Sequence, residues 1–356
     1  MFSWWKNHFQ TKTLPAASQA VLANFQTDEM PVALAQIMTA CDFDGQQLTI
    51  ELPFPMESLQ PVLLAELQSA GFSGALTVTY QHQAPAKLGS IKHIILVASG
   101  KGGVGKSTTA VNVAVALARE GAKTGLLDAD IYGPSIPTMF GVIGHQAKSP
   151  DEKHLLPLFK AGVHLQSIGF LVDPTAASVW RGPMASQALT QLLNETLWPE
   201  LDYLVVDMPP GTGDIQLTMA QKIPVSGAII VTTPQDVALA DAQKGISMFR
   251  QVNIPLLGLI ENMSFYQCPS CGEVDDIFGT DGGLSLANRY HVPVLGQLPL
   301  VKAIRQQSDQ GQPIALDDTQ QSTEIYRKIA RQVIFALYWR AKNVSEQQPE
   351  ILFTDD

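Results

Sequence analysis

Gly100-Lys101-Gly102-Gly103-Val104-Gly105-Lys106-Ser107-Thr108 follows the apolar run Ile91–Ala98 and opens a helical pattern over residues 109–119. The stretch reads as strand, glycine loop, helix. Gly100 to Ser107 fit G-x-x-x-x-G-K-[ST], in which backbone N–H groups cradle phosphates, the lysine reaches the terminal ones and the hydroxyl holds Mg²⁺. The glycines permit positive φ and close backbone approach, and the following helix N-terminus adds partial positive charge where phosphates sit. A nucleotide site is therefore expected on this loop.

On either side of the loop, strands and helices alternate. Candidate strands lie at 91–98, 123–128, 163–168, 203–207, 228–232, 256–261 and 293–295, most of them separated by helical patterns. Near-continuous Val, Ile and Leu runs suit parallel strands covered on both faces, so the expected architecture is a doubly wound, mainly parallel α/β sheet. In such sheets ligands sit at the carboxyl ends of the strands. This domain is expected over 91–343. Before it, 1–82 reads as a small α+β module, with helices at 17–25, 31–40 and 57–70 and strands at 47–52 and 75–80. A linker with Pro85 and Gly89 fills 83–90. A long helix over 319–340 carries Ile325, Ile329, Val333 and Leu337 at four-residue steps, and the acidic tail 344–356 is expected to fray.

Polar residues at strand ends supply the chemistry. Asp128 and Asp130 close the strand after the first helix, where one can hold Mg²⁺ or its waters and the other can orient an attacking water. Asp207 ends the next apolar strand and runs into Met208-Pro209-Pro210-Gly211-Thr212-Gly213-Asp214, as a second Mg²⁺ carboxylate followed by a phosphate-responsive segment would. Asn262 ends a further strand, where its amide either pairs with an adenine edge or only shapes a turn. Lys101 is a cation beyond what an ordinary phosphate loop needs. It is either a solvated lysine or one that completes a neighbouring subunit's site.

Cys268-Pro269-Ser270-Cys271 offers two thiolates, whereas a tetrahedral zinc site or a [4Fe–4S] cluster takes about four ligands. Two copies related by a two-fold axis would supply them. A redox dithiol or an inert pair are the other readings, but Gly272, Glu273, Asp275 and Asp276 do not extend the motif into the helix that redox dithiols usually open. Cys41, the third cysteine, reads as a small buried hydrophobe.

Composition narrows the remaining classes. The chain has 356 residues, 46% of them hydrophobic and 16% charged, as compact domains do, and no apolar run reaches the length of a membrane span. A formal charge of −10 argues against a nucleic-acid backbone as partner. Three cysteines suit a reducing compartment, and Met1-Phe2-Ser3-Trp4-Trp5-Lys6-Asn7-His8 lacks a secretory pattern, so the expectation is cytoplasmic.

The 100–108 loop with its extra lysine, the 128–135 and 207–214 segments, Glu261-Asn262-Met263-Ser264 and the C-x-x-C pair together make the chain resemble the Mrp/ApbC family. These are P-loop ATPases that carry iron–sulfur clusters, within the deviant Walker A group that includes MinD and ParA. The Trp180-Arg181-Gly182-Pro183-Met184 segment also looks like a family landmark. The resemblance implies a nucleotide-sandwich homodimer with slow, dimer-dependent ATP hydrolysis. In it Lys101 reaches the partner's nucleotide, Lys106 and Ser107 hold the β/γ-phosphates and Mg²⁺, Asp130 positions water and Asn262 contacts adenine. Cys268 and Cys271 would share a bridging [4Fe–4S] cluster, or zinc in its place, with their symmetry mates, for delivery to apo iron–sulfur proteins. The first block loosely resembles a degenerate MIP18-like domain: Pro53-Phe54-Pro55-Met56 stands where that domain usually carries a Cys-Pro pair. The competing expectation is a MinD/ParA-like spatial or partition switch, against which the acidic tail and net charge speak.

Overall fold

The computed structural model describes residues 14–346, except 83, 85, 132, 172–181 and 269. The described residues divide into two compact units: those up to Ala84 together with those from Arg331 on, and those from 86 to Ala330.

In the first unit β1 (Ala40–Phe43) and β2 (Gln47–Leu52) form an antiparallel hairpin, and β3 (Ala75–Tyr80) lies parallel to β2. The Asp44 side chain accepts from the backbone N–H of Gln46 and of Gln47, both at 2.8 Å, which closes the turn. The helix Leu59–Ser69 makes the crossover and buries Leu59, Leu63 and Leu67. Residues 31–40 are not the helix expected from their spacing. Only a short 3₁₀ turn forms at Leu34–Gln36, and the Thr39 N–H then donates to the Glu51 carbonyl at 2.9 Å. Leu34, Ile37, Met38 and Cys41 do repeat at helical intervals and all are buried, but pairing with β2 takes the backbone.

The second unit is built on an eight-stranded sheet in the order β13-β10-β9-β4-β8-β5-β7-β6. Its strands are β4 (Ile91–Ala98), β5 (Thr124–Asp128), β6 (Leu158–Lys160), β7 (Val163–Ser167), β8 (Leu201–Asp207), β9 (Gly227–Thr232), β10 (Leu256–Glu261) and β13 (Val294–Gln297). All neighbours are parallel except the edge strand β6, which runs antiparallel to β7. Every residue of β5, β8 and β9 is buried, which is why their sequences are continuous apolar runs rather than alternating ones. β6 was not foreseen; it is three residues long and partly exposed, with no such run.

β4 sits between β8 and β9, and the chain leaves it in one direction toward β5 and later returns on the other side at β9. That reversal opens a crevice at the carboxyl ends of the strands, where the 100–108 loop lies. The helix Lys106–Arg119 begins directly after Gly105, whose φ is +83°, and ends before Gly121, whose φ is +89°. The small two-stranded hairpin of β11 (Tyr266–Gln267) and β12 (Val274–Asp275) projects after β10. The final helix runs Gln321–Glu346, further than the expected 319–340, so the first residues of the expected tail are helical; the remainder of that tail lies outside the described residues. No helix among the described residues is long and apolar enough to cross a membrane.

Candidate functional site: a phosphate loop and a cysteine hairpin

The phosphate loop is closed on itself by charge. Lys106, 6% exposed, places Nζ 2.6 Å from Asp207 Oδ1, 3.7 Å from Asp130 Oδ2 and 3.2 Å from the Ser107 hydroxyl. Asp207 ends β8 and is fully buried, and Asp130 follows β5 on the next strand, so two strand ends and the loop converge on one ammonium group. Asp207 Oδ2 is buried with no hydrogen-bond partner among the described residues. An unsatisfied buried carboxylate oxygen beside a serine hydroxyl at a helix N-terminus is a donor set suited to a hard, oxygen-seeking cation such as Mg²⁺ and its waters.

Asp128 is engaged by three groups of its own chain. Its Oδ2 accepts from the Ile136 N–H at 3.2 Å and from the Ser167 hydroxyl at 3.0 Å, and its Oδ1 accepts from the Asp130 N–H at 3.2 Å. It thereby braces the segment that carries Asp130. Burial first, and the Asp207 charge second, push its carboxyl up to about 8. Burial raises Asp207 as well, but there Lys106 opposes the rise, so of the two Asp128 is the one that holds a proton. Ser167 ends β7 opposite Asp128, a partnership that sequence order does not announce.

Lys101 makes no ion pair among the described residues; its carbonyl accepts from the Ser99 hydroxyl at 2.8 Å. The segment after β8 is tied to the loop's own strand, the Gly211 N–H donating to the Ser99 carbonyl at 2.9 Å and Gln216 Nε2 to the Pro210 carbonyl at 2.7 Å. The helix Asp214–Lys222 follows. Asn262, expected against adenine, places its amide against the loop: Nδ2 donates to the Val104 carbonyl at 2.9 Å. Glu261, to which the sequence reading assigned no role, is 1% exposed and holds three groups: the Ser264 hydroxyl at 2.7 Å, Gln297 Nε2 at 3.0 Å and the Gly283 N–H. Its signal was the one used for Asp207, an acid closing an apolar strand. Arg181 and Trp180 lie outside the described residues.

Cys268 and Cys271 occupy the tip between β11 and β12. The Cys268 N–H donates to the Glu273 carbonyl at 2.8 Å and the Gly272 N–H to the Cys268 carbonyl at 2.9 Å. Backbone N–H groups of Cys271 and then Ser270 turn toward the Cys268 sulfur and lower its pKa, favouring the thiolate. Cys271 is exposed and Cys268 half-buried. Among the described residues no group of three or more His, Cys, Asp or Glu is arranged to hold a metal, so there the tip presents two thiols with no third ligand grouped beside them. Cys41 is buried, and burial pushes its thiol up to about 12.

A glycine loop between a central parallel strand and a helix, with its lysine against acids from two neighbouring strand ends, defines a P-loop nucleoside-triphosphatase fold. The family model described as ParA, NUBPL iron-transfer P-loop NTPase, matches residues 90–334. The chain belongs to that family. It is 57% identical over 256 residues to the iron-sulfur cluster carrier protein of Escherichia coli strain K12, spanning 72% of this chain and 69% of that one. To the protein of the same description from Haemophilus influenzae it is 45% identical over 355 residues, 95% of each chain, so the similarity there includes the first unit. Among solved structures, a nucleotide-binding protein from Archaeoglobus fulgidus in complex with ADP is similar with a TM-score of 0.58 and 36% identity, covering 65% of this chain and 90% of that one.

Proposed function

We propose that this chain is an ATP-hydrolysing iron–sulfur cluster carrier, two copies of which hold a [4Fe–4S] cluster between their Cys268 and Cys271 pairs and pass it to apo-proteins. The observation that carries the reading is the hairpin tip: two thiols, one of them favoured as thiolate, with no further ligand grouped with them among the described residues. A four-ligand cargo needs a second such pair, and a two-fold axis supplies it. The names of the relatives support the carrier role.

In the hydrolytic cycle Lys106 leaves Asp207 for the β/γ-phosphates, and Ser107 and the freed Asp207 would hold Mg²⁺ or its waters, which would supply positive charge to the phosphates. Asp130, partly exposed beside Lys106, orients the water that attacks the γ-phosphorus as the bond to ADP breaks. Lys101, which makes no ion pair within its own chain's described residues, reaches the partner's nucleotide, so hydrolysis waits for two copies to meet.

Anaerobic reconstitution with iron and sulfide tests this. Wild type is expected to hold one cluster per dimer, and the Cys268→Ala/Cys271→Ala double variant to hold none. Equal cluster in both proteins removes the proposed site. Zinc at one per dimer without cluster transfer favours a zinc-bridged ATPase, and ATP-dependent cosedimentation with liposomes or DNA favours a spatial switch.

A further inference from the structure

Asn262 grips the phosphate loop from behind. Its own N–H donates to the Thr232 carbonyl at 2.8 Å, which fixes it to the end of β9, and its Nδ2 donates to the Val104 carbonyl at 2.9 Å. The side chain is buried, with the residue 8% exposed. Gly105 has φ +83°, and a Cβ built on it would lie 2.1 Å from Asn262 Nδ2. The amide therefore occupies the space that any side chain at 105 would need.

The consequence follows from peptide geometry. In a trans peptide the C=O and the N–H point in opposite directions, and the described residues contain no cis bond. Holding the Val104 carbonyl back on Asn262 turns the Gly105 N–H the other way. Without that hold, a peptide flanked by a glycine is free to rotate its carbonyl toward the bound anion, where an oxygen repels phosphate. Glu261 keeps the grip rigid, because its engaged carboxylate fixes the strand end that carries Asn262.

From these contacts we infer that Asn262 is a positioning residue for phosphate binding: it aims the Gly105 N–H at the phosphates of any nucleotide. This rests on the nucleotide half of the proposed function and is independent of the cluster half.

The test is calorimetric titration of the full chain, with Mg²⁺, against ATP, GTP and inorganic tripolyphosphate. Asn262→Ala is expected to weaken all three by the same factor, about tenfold, the scale of one lost buried hydrogen bond. Asn262→Asp, equal in size but opposing an oxygen to the Val104 carbonyl, is expected to weaken them further. In the nucleotide-free variants, amide hydrogen exchange at Gly105 quickens while the melting temperature stays near wild type. If Asn262→Ala does not fold, the isosteric Asn262→Asp carries the comparison. Loss of ATP affinity alone, with tripolyphosphate unchanged, overturns the inference in favour of adenine reading, and unchanged affinity for all three also overturns it. Wild type that binds none of the three refutes the nucleotide site itself, a distinct result.

Discussion

Replacing Lys106 with methionine in the nucleotide-free protein removes a buried ammonium while keeping much of its stem. The ion pair with Asp207 spans 2.6 Å between groups 6% and 0% exposed. At an effective dielectric of about 20, Coulomb attraction at that distance is about 6 kcal/mol, much of which offsets the desolvation of both charges. Breaking one side leaves Asp207 buried and uncompensated, a loss of about 3 to 5 kcal/mol. For a unit of this size that lowers the melting temperature by roughly 10 °C. The deficit depends on pH. Burial raises the Asp207 carboxyl above its unfolded value, and without Lys106 the main opposing interaction is gone. A raised carboxyl favours the folded state while protonated, so the variant's deficit is small near pH 4 and widens as pH climbs. Adding Asp207→Asn to Lys106→Met removes the stranded charge and recovers part of the loss. Urea unfolding of the four proteins of this cycle gives the coupling directly, expected at about 2 kcal/mol. A coupling below about 0.5 kcal/mol, or a Lys106→Met protein as stable as wild type at neutral pH, refutes the reasoning.

Three further expectations follow from the same geometry. Because the Asp128 carboxyl rises from 3.8 to about 8 on folding, its contribution to stability is full below about pH 4 and lost as pH climbs through about 8. Asp128→Asn should flatten that fall in a series of melting temperatures; an unchanged slope contradicts the assignment. Of the three cysteines, Cys268 and Cys271 should react with a thiol reagent in the native protein, and buried Cys41 only after denaturation, as peptide mapping would read. Lys101→Ala should lose hydrolysis by about 10³ or more while retaining nucleotide binding, and mixing it with Lys106→Ala should restore turnover through hybrid dimers. Hybrids without any restored turnover count against a role across the interface.

The core of the second unit was legible because its strands are buried on both faces, and that constraint writes itself as unbroken apolar runs such as Ile94-Ile95-Leu96-Val97. Motif spacing placed the 100–108 loop directly after β4, and the pattern of acids closing such runs picked out Asp207 and Asp130, which the fold sets beside Lys106. The 31–40 segment misled because helical spacing and burial agree there, while the deciding bond, from Thr39 to Glu51, crosses to another strand. The partners of Asp128 were hidden for a similar reason. Its partners Ser167 and Ile136 come from later elements, and nothing in Leu126-Leu127-Asp128 tells a carboxylate that faces phosphate from one that braces a loop. The Asn262 contact with Val104 was hidden too, since it joins residues far apart in sequence that only the sheet order brings together.

The cysteine tip closes on its own backbone. Tyr266 pairs with Asp275, Gln267 with Val274 and Cys268 with Glu273, so the geometry of both thiols is set within about ten residues of chain. Such a segment is modular. A change in its length, charge or ligand content need not disturb the buried strand ends around Lys106, so under the proposed carrier role a new cargo chemistry would require changing this hairpin and little else.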